Sequence, residues 1–380
     1  MAWRDSAAEA GQAGPGQIAL ATSAAYAGKL APGGMAGEAK QVMDNIQTAL
    51  QAHGLSMADV VKCTVMLADM SEWGAFNDVY KTYFSGNFPA RSAFGMAWLL
   101  QVYASLLLLR DGNAAAYQLL LAVSMFCPLV SVLLVQKFWL HQPTGISWRP
   151  RLKGNGRYLL AAWFGPAVFT VLAAVLYFAV FPSRLDTSGS WLATAYGGQW
   201  TPEALKTELG VTTTSYLIQN GLLAVTLAPL ANMIPAVGEE AGWRGYMMPR
   251  LKERLGLLNG RLLGGVIWGV WHWPLMLLVG YEYGTNYLGA PLLGLVVWCV
   301  VCFALNTLLD WLYEKTGCIW VPAIAHGALN AVASMPVVLT DPAEASYYTV
   351  LGPMPIGLIG MLPVLAVAVW LTLRQMKQEE

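Results

Sequence analysis

The chain has 380 residues, 56% of them hydrophobic and only 12% charged. An average soluble domain is about 25% charged, so the composition excludes an ordinary soluble enzyme and points to a membrane protein. The 22 basic and 22 acidic residues cancel, which gives no support for nucleic-acid binding.

The polar residues are concentrated in 1–93, and the apolar runs begin near Phe94. No secretory signal opens the chain, because Met-Ala-Trp-Arg-Asp-Ser leads into a polar, Gly/Ala-rich stretch. Residues 36–53 read as an amphipathic helix, with Val42, Met43, Ile46 and Leu50 on one face and Gly54 at its C-cap. Residues 60–67, Val-Val-Lys-Cys-Thr-Val-Met-Leu, read as a buried strand. Residues 71–85 read as a second helix, with Trp73, Phe76, Val79 and Tyr80 on its apolar face. This order predicts a small α+β fragment ahead of the membrane domain.

The fragment resembles the RidA/YjgF family of small trimeric deaminases, which hydrolyse reactive imines and enamines. The resemblance rests on Gly16–Leu20, Gly28–Gly34, Asp44–Ile46, Ala58–Val65 and Phe88–Ser92, within roughly 16–94. It implies that Arg91 is the substrate-carboxylate arginine, a role suited to a bidentate guanidinium. The family's first strand, with its Gly-Pro-Tyr motif, has no counterpart here. Nor do the strands after the arginine, which carry the family's acidic residue. Missing partners leave strand edges unpaired. Residues 1–93 are therefore expected to be a truncated, inactive cytoplasmic segment, joined by fusion of gene fragments or included by a wrongly assigned start. Met96 lies near where a free-standing membrane protein would begin.

A membrane-spanning helix needs roughly 20 mostly apolar residues. Eight segments qualify, near 94–109, 115–137, 157–181, 214–237, 261–280, 289–309, 317–338 and 354–373. The short Arg110–Ala114 connection makes the first two an antiparallel hairpin. Lys137, Arg149, Arg151, Lys153 and Arg157 follow the second segment, and Arg244, Arg250, Lys252, Arg254 and Arg261 follow the fourth. The intervening loops carry Asp186, Glu203, Glu208, Asp341 and Glu344 instead. The positive-inside rule then places both chain ends on the cytoplasmic side of a cell inner (plasma) membrane. Residues 244–260 mix basic and apolar side chains and read as a short interfacial piece. Cys299 and Cys302 form a CxxC in the middle of an apolar run. They read as small helix residues rather than a redox or zinc pair.

Three polar pairs interrupt the apolar runs: Glu240/Arg244, Trp268/His272 and His326/Asn330, each spaced i,i+4. That spacing puts both members on one helix face. Ionisable groups at membrane depth are costly and mark a functional site by default. Glu239 and Glu240 are adjacent carboxylates that cannot both ionise cheaply. Arg244 can hold Glu240 ionised, which leaves Glu239 as a base toward water. His272 can share that water or its proton. His326 and Asn330 offer donors for an oxyanion. The bland reading is a set of polar contacts that glue helices together. No His-Glu-x-x-His or Gly-x-Ser-x-Gly is present. One alternative survives on chemistry alone: Glu239, His272 and His326 as a His₂Glu zinc site.

These motifs resemble those of the CPBP family, the CAAX prenyl proteases and bacteriocin-processing enzymes of the Abi type. The match is Glu239-Glu240-x-x-x-Arg244, Trp268-x-x-x-His272 and His326-x-x-x-Asn330, with Trp268 where the family usually has Phe. It covers roughly 97–375 and implies an eight-helix intramembrane glutamate protease without an obligatory metal. By that resemblance Glu239 and His272 activate the water, and His326 and Asn330 stabilise the oxyanion. Zinc stays as the runner-up cofactor.

The expectation is thus an all-α multi-pass membrane protein of about eight transmembrane helices over 94–380. Its partners are the lipid bilayer and a peptide or protein substrate, lipidated in the family's eukaryotic use, with Trp268 in the substrate-binding wall. The competing expectation is a non-proteolytic membrane scaffold or bacteriocin-immunity protein. A small-solute transporter would show an internal repeat, and none is evident.

Overall fold

The computed structural model describes residues 9–14, 17–21, 25–26, 29–60, 62–63, 72–84, 90–91, 94–139, 141–151 and 153–379. The chain divides into two compact units, Met1–Ser92 and Ala93–Glu380.

In the first unit, β1 (Glu9–Gly14) and β2 (Gln17–Ala21) pair antiparallel, as do the short β3 (Ala25–Tyr26) and β4 (Lys29–Leu30). Helix α1 (Gly34–Ala52) and helix α2 (Trp73–Lys81) pack through Ala39, Met43, Leu50, Phe76 and Tyr80. β5 (Lys62–Cys63) pairs parallel with β6 (Ala90–Arg91), with Cys63 opposite Arg91. The strand expected over 60–67 is described only at Lys62–Cys63; residues 61 and 64–71 lie outside the described residues. Every sheet among the described residues is two-stranded.

The second unit is helical: α3 (Phe94–Asp111), α4 (Ala114–Ser124), α5 (Cys127–Leu133), α6 (Gly156–Val180), α7 (Ser190–Ala195), α8 (Pro202–Leu209), α9 (Thr213–Thr226), α10 (Ala228–Gly242), α11 (Met248–Trp271), α12 (Trp273–Leu278), α13 (Leu292–Thr316), α14 (Trp320–Val332), α15 (Pro342–Tyr348) and α16 (Leu362–Glu379). On α6, Phe164, Val168, Val171 and Val175 are all exposed. An exposed apolar stripe of that length fits contact with lipid. By length and composition, four helical stretches among the described residues can cross a membrane: Ala114–Lys137, Gly156–Val180, Leu292–Thr316 and Trp320–Leu339. A fifth is added if Thr213–Thr226 and Ala228–Trp271, bent by 50°, count as one span. The expected eight are not reached by that criterion. The segment expected at 261–280 begins inside α11, whose first half carries Arg250, Lys252 and Arg254, and ends in the separate short α12.

Gly256 decides the course of α11. Its φ of 76° and ψ of 171° break the helix in a region essentially reserved for glycine. The chain folds back there. A Cβ on Gly260 would lie 2.9 Å from the Lys252 backbone nitrogen, and one on Gly264 would strike the Met248 sulfur. Lys252 and Gly260 are each four residues from Gly256, and Met248 and Gly264 are each eight. The two arms therefore run antiparallel, in register about one residue.

Buried charge ties this hairpin to α13 and α16. Lys252 Nζ donates to Asp310 Oδ1 at 2.6 Å and also pairs with Glu314. Arg261 donates to Asp310 Oδ2 at 3.0 Å, to Thr372 at 3.2 Å and to Gln375 at 2.8 Å. Asp310 and Arg261 are fully buried. Removing one partner of such a cluster strands the others in a low dielectric, at about 3–5 kcal/mol. Asp310→Ala is accordingly expected to lower the detergent-solubilised melting temperature by many degrees, read by differential scanning fluorimetry. A shift within error would refute this account.

Candidate functional site

The same register, carried outward, assembles the polar pairs. Arg244 and Trp268 are each twelve residues from Gly256, and the Arg244 guanidinium lies over the Trp268 ring, 4.1 Å from its centroid. Trp243 meets Trp271 edge-on at 5.3 Å. Residues Trp243–Met247 form a single π-helical turn that begins three residues after Glu240. Such turns re-aim side chains and recur at functional sites.

A second close approach brings in α14. A Cβ on Gly327 would lie 2.6 Å from the Met233 nitrogen and 2.7 Å from the Pro229 oxygen, so only glycine lets α14 sit this close to α10. Asn232 Nδ2 spans the contact to the Gly327 carbonyl at 3.3 Å. The neighbouring His326 is thereby pressed onto Glu240.

The two carboxylates have different partners. Glu240 Oε1 accepts from Arg244 Nη1 at 2.9 Å and lies 2.8 Å from His326 Nδ1. Glu239 Oε2 accepts from two indoles, Trp268 Nε1 at 2.8 Å and Trp243 Nε1 at 3.2 Å. Glu239, Glu240, Arg244, Trp268 and His326 are all buried. One glutamate is thus neutralised by cationic or ionisable partners, while the other is held by neutral donors. Glu240 Oε2 and Arg244 Nε and Nη2 are enclosed without a hydrogen-bond partner.

His272 lies beside this network. Its Nδ1 donates to the Trp268 carbonyl at 2.8 Å, which fixes the ring and leaves Nε2 as the acceptor of the neutral form. Its ring packs edge-on to Trp298 at 5.2 Å and parallel to Tyr281 at 6.0 Å. Among the described residues no hydrogen bond joins His272 to Glu239. Asn330, one turn beyond His326, is exposed and stands outside the hydrogen-bonded cluster. No group of three His, Cys, Asp or Glu side chains among the described residues is placed to hold a metal. Cys302 is buried on α13, and Cys299 packs against Gly269.

The site has members that the i,i+4 pairs did not include. Trp243, four residues after Glu239, supplies the second indole; that spacing was present in the sequence but was masked by the Glu240/Arg244 pair. Trp298 and Tyr281, which wall His272, come from distant segments and carry no local signal. Next to Tyr281, in the loop between α12 and α13, Glu282 takes a φ of 70°, and burial pushes its carboxyl up to about 7.

Residues 220–332 match the family model described as type II CAAX prenyl endopeptidase Rce1-like. All seven site residues lie inside that stretch. Residues 13–104 match a second model, Endoribonuclease L-PSP, which runs past the first unit into α3. Among curated proteins the N-terminal stretch is similar to 2-iminobutanoate/2-iminopropanoate deaminases. It is 49% identical to the Rattus norvegicus protein over 84 residues, covering 22% of this chain and 59% of the relative. It is 45% identical to the Homo sapiens protein over 84 residues, with the same shares. A RutC family protein of Drosophila melanogaster is 42% identical over 71 residues, covering 19% of this chain and 51% of that protein. The chain spans between half and three-fifths of the length of these relatives.

Proposed function

We propose that the helical unit is an intramembrane endopeptidase in which Glu239 activates the attacking water. The carrying observation is the unequal treatment of the two glutamates. Glu240 is committed to Arg244 and His326, whereas Glu239 is held through one oxygen by two neutral indoles and has its other oxygen to offer. Glu239 takes a proton from water as the hydroxide adds to the scissile carbonyl, and returns it to the leaving amine as the C–N bond breaks. His272 Nε2 accepts the water's second hydrogen and orients it.

His326 stabilises the oxyanion from Nε2. Because its Nδ1 faces Glu240, a proton on Nε2 as well makes it an imidazolium, and the Glu240 carboxylate balances that charge. Asn330 completes the donor set once substrate crosses the exposed end of α14. Trp268 forms the wall between the base and the oxyanion donors. In this reading the helices form eight spans, with both chain ends and the basic loops on the cytoplasmic side of the inner membrane. The substrate is a peptide or protein, lipidated or not, cut near that face. The first unit is a catalytically inactive RidA-like fragment of α+β type.

Two measurements test the reading. Membrane proteomes with wild type and Glu239→Ala should differ by a cleavage product that only the wild type yields. Identical proteomes, with any immunity phenotype kept by the variant, would favour a scaffold. Purified protein should also cleave in the presence of chelator and hold well under one zinc per chain by atomic emission. A zinc site needs three ligands within about 2.1 Å of one point. Stoichiometric zinc whose removal and return switch activity off and on would overturn the metal-free assignment.

A further inference from the structure

A groove of about 730 Å³ opens between α6, α13, α14 and α16. Its walls are apolar, with Phe169, Leu305, Leu308, Val364 and Leu371 among them, and its inner end reaches His326. Its mouth differs. Arg157 at the start of α6, Lys315 at the end of α13 and Arg374 near the end of α16 all line it, and all three are exposed. Among the described residues none of the three pairs with a carboxylate. The nearby acids Asp310 and Glu314 are taken by Lys252 and Arg261. Amphipathic aromatics frame the same mouth: Arg157 donates to the Tyr158 hydroxyl at 2.9 Å, Tyr158 meets Trp311 edge-on at 5.4 Å, and Arg374 lies over Trp370 at 5.4 Å.

We propose that this groove is a binding site for one anionic phospholipid, with the headgroup phosphate at Arg157, Lys315 and Arg374 and an acyl chain running inward along α14. The volume is that of a small-ligand site, about 300–1,000 Å³. The walls offer few polar partners, so a peptide backbone laid there would bury unsatisfied amides, whereas a hydrocarbon chain has none to satisfy. Three cations without acidic partners favour an anion over a zwitterion. Tyr and Trp at the mouth suit the headgroup level of a bilayer. The groove shares His326 with the proposed catalytic site but none of Glu239, Glu240, Arg244, Trp268 or His272, and lipid binding there can be read without proteolysis.

The test uses the full chain in nanodiscs of equal phosphatidylglycerol and phosphatidylcholine, released for native mass spectrometry. One phosphatidylglycerol should be retained per chain. A cation beside an anionic lipid is worth about fivefold in affinity, so the three together predict a loss of roughly a hundredfold, and at least tenfold, in R157Q/K315Q/R374Q. R157K/R374K should retain the lipid. Leu308→Trp, which fills the groove without altering charge, should expel it, and size-exclusion profiles would show that each variant is folded. Equal retention of the two lipids, or unchanged retention in the triple glutamine variant, would overturn the proposal. So would occupation of the groove, in wild type and triple variant alike, by an amide-capped prenylated peptide that displaces phosphatidylglycerol.

Discussion

Glu239→Gln should abolish peptide cleavage while leaving the protein folded. The amide oxygen still accepts from Trp243 and Trp268, so the hydrogen bonds that position the side chain survive. What is lost is the ability to take a proton, and general-base catalysis is worth about 10²–10⁴ in rate. Turnover in proteoliposomes should fall by about that factor, at least about a hundredfold, with a melting temperature within a few degrees of wild type. The neighbouring substitution should behave in the opposite way. Glu240→Gln faces Arg244 and His326 with a neutral group and leaves a buried guanidinium unbalanced, at about 3–5 kcal/mol. That variant should be destabilised first and inactive as a consequence. His326→Ala should lower kcat by about 10²–10³ with little change in KM, since oxyanion contacts strengthen in the transition state. If Glu239→Gln cleaves at the wild-type rate, Glu239 is not the base.

Inserting one alanine directly after Gly256 should be as damaging as removing the base, although that residue touches none of the site. One added residue turns the following helix by about 100° and moves it by about 1.5 Å. Trp268 would swing away from Arg244 and from Glu239, and the Lys252 and Arg261 contacts to Asp310 would no longer align. Cleavage should drop below detection and the melting temperature should fall. The same insertion between Gly197 and Gly198, both exposed with positive φ, should be nearly silent. Gly256→Ala is the milder probe: the strain of a side chain in that backbone region costs about 1–3 kcal/mol and leaves the register intact. An insertion variant with wild-type activity would show that the hairpin does not set the site.

The residues of the candidate site were legible in the sequence because polarity inside an apolar run is conspicuous. Glu239, Glu240, Arg244, Trp268, His272, His326 and Asn330 could all be named from spacing and chemistry. Their roles relative to one another were less legible. An i,i+4 spacing fixes one helix face but not what lies opposite, so the contact of His326 with Glu240 was invisible in the sequence, as was the exposure of Asn330. The course of 244–260 was legible only in part for a related reason. Basic and apolar residues mixed along that stretch show an amphipathic piece, but not that Gly256 folds it back on the rest of α11 as a hairpin. Its Lys252, with Arg261 just beyond it, points inward to Asp310, an acid 49 or more residues away that no local spacing links to either cation. Likewise, hydropathy marks apolar segments but not how the chain breaks them into helices, and among the described residues four or five helical stretches are of spanning length by themselves.

The two indoles on Glu239 have a consequence beyond holding it. Trp243 and Trp268 donate to the same carboxylate oxygen, so the electron density of both rings is tied to the ionisation of a single side chain. When that carboxylate takes a proton, both N–H groups lose an anionic acceptor at once. The protein therefore carries a pair of chromophores beside the group proposed as its base, and a near-ultraviolet difference between wild type and Glu239→Gln would single out these two rings from the other tryptophans of the chain.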